Sequence, residues 1–185
     1  MFNIIIVGVG GQGTVLASKI ICAAAVKNGK YVVSSETIGM AQRGGSVTSH
    51  IRISDEETVC SPLLDAGMAD LIIAFEPSEA VRALPYLKPG GAVISAMGII
   101  PPITKYVYDK EAIFSFLRKH VTDLRLVDAG SVCEECGSSR VLNMALVGAA
   151  ERRLPVNGIE DVIREKVKPA FVEMNLRAIE GGRKL

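Results

Sequence analysis

Near the start of the chain, Gly8-Val9-Gly10-Gly11-Gln12-Gly13 places its glycines in a Gly-x-Gly-x-x-Gly spacing. A turn without Cβ atoms bends sharply and lets a ligand approach the backbone. If a helix opens directly after it, unpaired N–H groups and the positive end of the helix dipole converge there, and a phosphate suits both. A structural use stays open: the glycines would then only allow a tight turn and close helix–sheet packing. A second segment, Thr37 to Ser46, carries Gly39, Gln42, Arg43, Gly44 and Gly45. Arg43 is the only charged residue between Glu36 and His50. Its guanidinium offers a planar fork of donors to a carboxylate or phosphate, and the glycines let the backbone lie flat against a partner. The segment reads as a binding or docking loop, with a solvated connection as the alternative. The candidate cofactor-binding or partner-docking residues are therefore Gly8, Gly10, Gly11, Gln12, Gly13, Gln42, Arg43, Gly44 and Gly45.

The remaining reactive side chains form no constellation. Cys133 and Cys136 have the spacing of half a zinc site or a redox pair, but Cys22 and Cys60 are isolated and neither His lies at a ligand spacing. A structural zinc site wants four ligands, and a thioredoxin-like pair wants to open a helix after a first strand. His50 and His120 stand alone, without a partner carboxylate pattern. No catalytic residue and no metal site are assigned.

The elements that must position these residues follow from hydrophobic pattern. Phe2 to Val7 is a short β-branched run bounded by Gly8, which predicts a strand. A helix is expected over about 13–28, stopped by Asn28-Gly29, and Tyr31 to Ser34 should close a first βαβ unit with Glu36 just beyond its end. Val47 to Ile53 alternates apolar and polar residues, so it should be a strand with one wet face carrying His50, returning as a hairpin through Thr58-Val59-Cys60. Leu71 to Phe75 reads as a buried central strand, capped by Glu76-Pro77-Ser78 into a short helix. Lys88-Pro89-Gly90-Gly91 reads as a turn into strand Ala92 to Ser95, which places Glu76, Ser95 and the glycine turn on one rim. Asp109 should cap a helix over 110–119, and Leu124 to Asp128 is a further strand. Ser138 or Ser139 should start a helix over 140–153, followed by helices over 159–168 and 169–180, with Gly181-Gly182 as the final stop. The sum is a Rossmann-like three-layer α/β/α fold with a mostly parallel but mixed sheet. It forms a single domain over 1–185 with C-terminal helices from about 159.

The bulk properties exclude several classes. With 185 residues the chain can bury roughly 70% of its unfolded surface, so it needs no staples. A net charge of +1 and 5% aromatic residues with no Trp argue against nucleic acid and against an anionic membrane surface. No apolar run reaches about 18 residues, and no signal or transit peptide precedes the first strand. A cytoplasmic protein with reduced thiols is expected.

Several stretches together resemble the gamma-type subunits of 2-oxoacid:ferredoxin oxidoreductases, and among them the small subunits of the indolepyruvate enzymes. They are Gly8 to Gly13, Gly39 to Val47 with Ser49-His50, Ser61-Pro62-Leu63, Ala74 to Pro77, Leu84 to Gly91, and Asn143-Met144 with Gly148. The Gln42-Arg43-Gly44-Gly45 segment is the specific part. The resemblance implies a role in coenzyme A-dependent oxidative decarboxylation of aryl pyruvates, with ferredoxin as acceptor. It also implies that thiamine diphosphate, Mg and iron–sulfur clusters sit in a larger partner subunit, and that this chain binds no cofactor alone. The residues agree. They include no cysteine run for a cluster and no Gly-Asp-Gly segment of the thiamine diphosphate type. The Cys133-Glu134-Glu135-Cys136 segment departs from the family, where a helix start without cysteine is expected. A self-contained Rossmann-type nucleotide-binding oxidoreductase, or a nucleotide-binding module, remains the competing class.

Overall fold

A computed structural model describes residues 1–39, 44–57, 61–101 and 108–185. Among these residues six strands form one sheet in the order β2-β3-β1-β4-β5-β6. In chain order they are β1 (Phe2–Val9), β2 (Tyr31–Ile38), β3 (Ser46–Ser54), β4 (Ala69–Ala74), β5 (Leu87–Ala96) and β6 (Asp123–Val127). Strands β1, β4, β5 and β6 pair in parallel, while β3 runs antiparallel to both β1 and β2. Only β3 therefore points against the others, and the sheet is mixed and mostly parallel.

Among the described residues seven α-helices cover it: α1 (Thr14–Lys27), α2 (Pro77–Ala83), α3 (Lys110–His120), α4 (Ala129–Cys136), α5 (Leu142–Ala150), α6 (Ile159–Lys166) and α7 (Pro169–Lys184). The period-two alternation of the strands sorts the core into two layers. Ile4, Ile6, Ile51, Leu71, Ile73 and Ile94 pack toward α1, α4 and α5. Ile5, Val7, Ile72, Ala74 and Val93 pack toward Ala80 and Ala83 of α2 and Phe114 and Leu117 of α3. The result is a three-layer α/β/α arrangement.

Several expectations are corrected. β2 runs on to Ile38, so Glu36 lies inside the strand. The polar run Ser35 to Thr37 hides this extension, which the antiparallel ladder to β3 sustains. β2 does not close a βαβ unit beside β1, because the hairpin after Ile38 inserts β3 between them. The even-numbered face of β3 is only partly wet: Ser46, Thr48 and Arg52 are half-buried, but His50 among them is buried, and Ser49 lies buried on the opposite face with Val47, Ile51 and Ile53. Lys88 to Gly91 belong to β5, with a register irregularity against β4 at Ala69–Leu71. The return through Thr58-Val59-Cys60 lies outside the described residues.

The glycine pair Gly181-Gly182 does not stop α7, which continues to Lys184. A Cβ on Gly182 would stand 2.0 Å from the Ala145 carbonyl oxygen, and one on Gly148 2.2 Å from that of Ile179. These glycines bring α5 and α7 into backbone contact, so their role is packing. Cys133 and Cys136 lie in the second half of α4, whose residues the sequence pattern left unassigned.

Candidate functional site

The parallel strands align their C-terminal ends, with Val7, Ala74 and Ser95 in register across β1, β4 and β5. In α/β sheets of this kind ligands bind beyond that edge. Glu76, Ser95 and the Gly8–Gly13 turn share the rim as expected, although the Ser95 hydroxyl is fully buried and donates to the Ala96 carbonyl.

Each residue of the turn has a distinct role. A Cβ on Gly8 would lie 2.8 Å from Phe75 Cβ and 2.8 Å from Thr14 Cγ2, so this glycine serves close packing. Gln12 is the staple of the turn. Its Oε1 accepts from the Val9 N–H at 2.7 Å, and its Nε2 donates to the Phe75 carbonyl at 2.9 Å, joining β1 to the end of β4. Gly11 has φ +105 and, among the described residues beyond its chain neighbours, no atom within 4 Å of where a Cβ would sit. Gly13, at φ +85, is the N-cap of α1, and no side chain caps that helix. A Cβ on Gly13 would meet Asn143 Nδ2 at 2.7 Å, the same group that donates to the Gly13 carbonyl at 3.5 Å. The uncapped first turn of α1 has the donors and dipole an anion requires.

The two glycine segments meet. The Gly10 N–H donates to the Gly45 carbonyl at 2.8 Å, and the Gly44 N–H returns to the Gly10 carbonyl at 3.5 Å. The hairpin carrying Gly44 and Gly45 is closed at its base by Gly39 N–H to the Ser46 carbonyl at 2.9 Å. Gln42 and Arg43 lie outside the described residues.

Beside the turn is a mostly apolar cavity of about 350 Å³, lined by Gly11, Gln12, Phe75, Ile99, Ile100 and Cys133 among others. Two buried carboxylates stand at the start of α2; sequence pattern named Glu76 as a cap on the rim, but neither its contact to Tyr108 nor the role of Glu79. Glu76 is fully buried and caps α2, its Oε2 accepting from the Ser78 N–H at 2.7 Å and the Glu79 N–H at 3.2 Å. Glu79 is also buried, and its Oε2 accepts from the Ser46 hydroxyl at 2.6 Å. Tyr108 donates to Glu76, and burial followed by that carboxylate pushes the phenol up to about 12. Spacing in the chain could not reveal contacts 32 and 33 residues apart.

The histidines lie elsewhere. His50 sits in mid-strand, its Nδ1 accepting from the Leu64 N–H at 3.2 Å, with the Tyr86 ring edge-on at 5.5 Å. Burial holds its pKa below the ordinary value. His120 ends α3, stacked on Phe116 at 4.0 Å. Burial, then the neighbouring Cys136 and Glu134, push the Cys133 thiol up, which suits a packed thiol better than a nucleophile. Among the described residues no group of three or more His, Cys, Asp or Glu is placed to hold a metal ion. No described helix is long and apolar enough to cross a membrane.

Residues 3–185 match the family described as pyruvate ferredoxin/flavodoxin oxidoreductase. The indolepyruvate oxidoreductase subunit IorB of Archaeoglobus fulgidus is 40% identical over 97% of this chain and 92% of its own length. The pyruvate/ketoisovalerate oxidoreductases common subunit gamma of Thermococcus kodakarensis is 30% identical over 94% of this chain and 90% of its own. In fold, the gamma subunit of a keto/oxoacid ferredoxin oxidoreductase from Geobacter sulfurreducens superposes with a TM-score of 0.72 at 24% identity, over 100% of this chain and 97% of that one. The chain therefore belongs to the pyruvate ferredoxin/flavodoxin oxidoreductase family.

Proposed function

We propose that the chain is the small, non-cofactor-bearing subunit of a 2-oxoacid:ferredoxin oxidoreductase that acts on aryl pyruvates such as indolepyruvate. A larger subunit would hold thiamine diphosphate, Mg and the iron–sulfur clusters. The rim built by Gly8, Gly10, Gly11, Gln12, Gly13, Gly44 and Gly45 would face that subunit and the phosphates of coenzyme A, and Gln42 and Arg43 would serve the same contact. The observation that carries this reading is the bridge from Gly10 to Gly44 and Gly45, which brings two chemically apt segments to the open end of α1. Backbone donors there suit phosphate oxygens, and the apolar cavity beside them suits an extended thioester chain.

The aryl pyruvate assignment is supported by the 40% identity to an indolepyruvate oxidoreductase subunit. The more distant relative is by its name common to two oxidoreductases, so a subunit of this type need not select the 2-oxoacid. The chain's own contribution would be to bind, orient and exclude water, since the rim offers no acid–base pair among its described residues.

The test is reconstitution. The chain alone should be colourless, contain no iron, and fail to reduce viologen with indolepyruvate and coenzyme A. It should co-purify with the larger subunit and complete that activity. Turnover without a partner, or tight NAD binding by the chain alone, would instead favour a self-contained nucleotide-binding oxidoreductase.

A further inference from the structure

We propose that Glu76 is the positioning residue of the rim cavity, a single side chain holding both the start of α2 and the Ile99–Ile100 wall. The side chain is fully buried, yet it has five donors. Oε2 takes the Ser78 and Glu79 N–H groups and the Ser78 hydroxyl. Oε1 takes the Tyr108 hydroxyl and, at 3.5 Å, the Ile100 N–H. A carboxylate buried at this depth is retained only where donors compensate its lost hydration, and here each oxygen has its own set. The two sets belong to different elements. One is the N-terminus of α2. The other is the chain after β5, whose Ile99 and Ile100 line the cavity, together with the residue just ahead of the α3 N-cap Asp109. Glu76 directly follows Phe75, a cavity residue that Gln12 holds by its carbonyl. The carboxylate thus ties the cavity wall to the glycine turn through β4.

Capping alone does not need this side chain. An aspartate or serine reaches the first helical N–H groups from the same position, and these are preferred caps. Glutamate is one methylene longer than aspartate, and its second oxygen spends that reach on Ile100 and Tyr108. The inference rests on the placement of coenzyme A at this rim for its functional consequence, but not for its structural one.

The decisive variant is Glu76→Asp, which keeps the cap and shortens the reach. In the full chain, amide exchange over residues 97–101 should quicken at least several-fold while α2 stays protected. The tyrosinate absorbance of Tyr108 should appear at lower pH, toward the ordinary value of about 10. In the reconstituted complex the KM for coenzyme A should rise about tenfold, more than kcat falls. Tyr108→Phe should show the exchange and KM changes in weaker form, since the Ile100 contact survives. If Glu76→Asp leaves exchange over 97–101 and the Tyr108 titration as in the wild type, Glu76 is only a helix cap and the proposal is overturned. If exchange and titration both shift while the KM for coenzyme A does not, Glu76 does position the wall and the placement of coenzyme A at this rim is what fails.

Discussion

Gly11→Ala separates ligand approach from packing at the glycine turn. At φ +105 an alanine is strained, but its Cβ would enter open space beside the cavity. Strain of this kind costs about 1–3 kcal/mol, so for a chain of this size a melting temperature lower by roughly 2–12 °C is expected. The fold should survive. Gly13→Ala adds a collision 2.7 Å from Asn143 Nδ2, with Asn143 Cγ at 3.2 Å, inside a buried contact between α1 and α5. Overpacking of that kind costs about another 1–3 kcal/mol, so Gly13→Ala should be the less stable of the two. Asn143→Ala removes both atoms, so the double variant Gly13→Ala/Asn143→Ala should lose less than the sum of the single losses, by about 1 kcal/mol or more. Thermal melts of the isolated variants measure this, and viologen reduction with coenzyme A varied measures function in the complex. If the turn serves a ligand, Gly11→Ala raises the KM for coenzyme A at temperatures where the variant is fully folded. Wild-type kinetics for Gly11→Ala would show that the glycines serve only the turn, and additive losses for Gly13 and Asn143 would refute the packing argument.

Other perturbations follow from the same contacts. Gly182→Ala should destabilise the chain by about 1–3 kcal/mol despite alanine's better helix propensity, because its Cβ would lie 2.0 Å from the Ala145 carbonyl; an unchanged or raised melting temperature would contradict the α5–α7 contact. His50 titrates below its ordinary 6.5 because burial disfavours the imidazolium. The unfolded chain therefore takes up the proton first, and stability should fall as pH drops below about 6.5 and on through the lower folded value; His50→Gln should flatten that slope in denaturant melts at stepped pH. Arg43→Lys keeps the charge but loses the fork, and should still lose most activity in the complex, while Arg43→Ala should leave the melting temperature of the isolated chain within about a degree or two. Full activity in both Arg43 variants would make the loop a plain connection.

The strand–turn–helix start was legible because its signals are local: a β-branched run, glycines at fixed spacing, then helical periodicity. The central strand at Leu71 and the caps at Glu76 and Asp109 were legible for the same reason. What the pattern missed depends on partners distant in the chain. Ser35 to Thr37 look like loop until β3 supplies their ladder. Gly181-Gly182 look like a stop until α5 lies against them. His50 looks exposed until Leu64 and Tyr86 close over it. At the site, the glycines and the Glu76 cap could be named from pattern, but the hydrogen-bonded union of the two glycine segments and the contacts of Glu76 to Tyr108 and of Glu79 to Ser46 arise only in the fold.

The central claim is that the rim of Gly10, Gly11, Gly13, Gly44 and Gly45 faces a larger subunit and coenzyme A. Amide hydrogen exchange measured on the chain alone, in the reconstituted complex, and in the complex with coenzyme A tests it most directly. The account predicts slower exchange over residues 10–16 and 44–46 in the complex and a further slowing with coenzyme A, while residues 118–122 at the opposite edge stay unchanged. Equal exchange at the rim in all three states would contradict it.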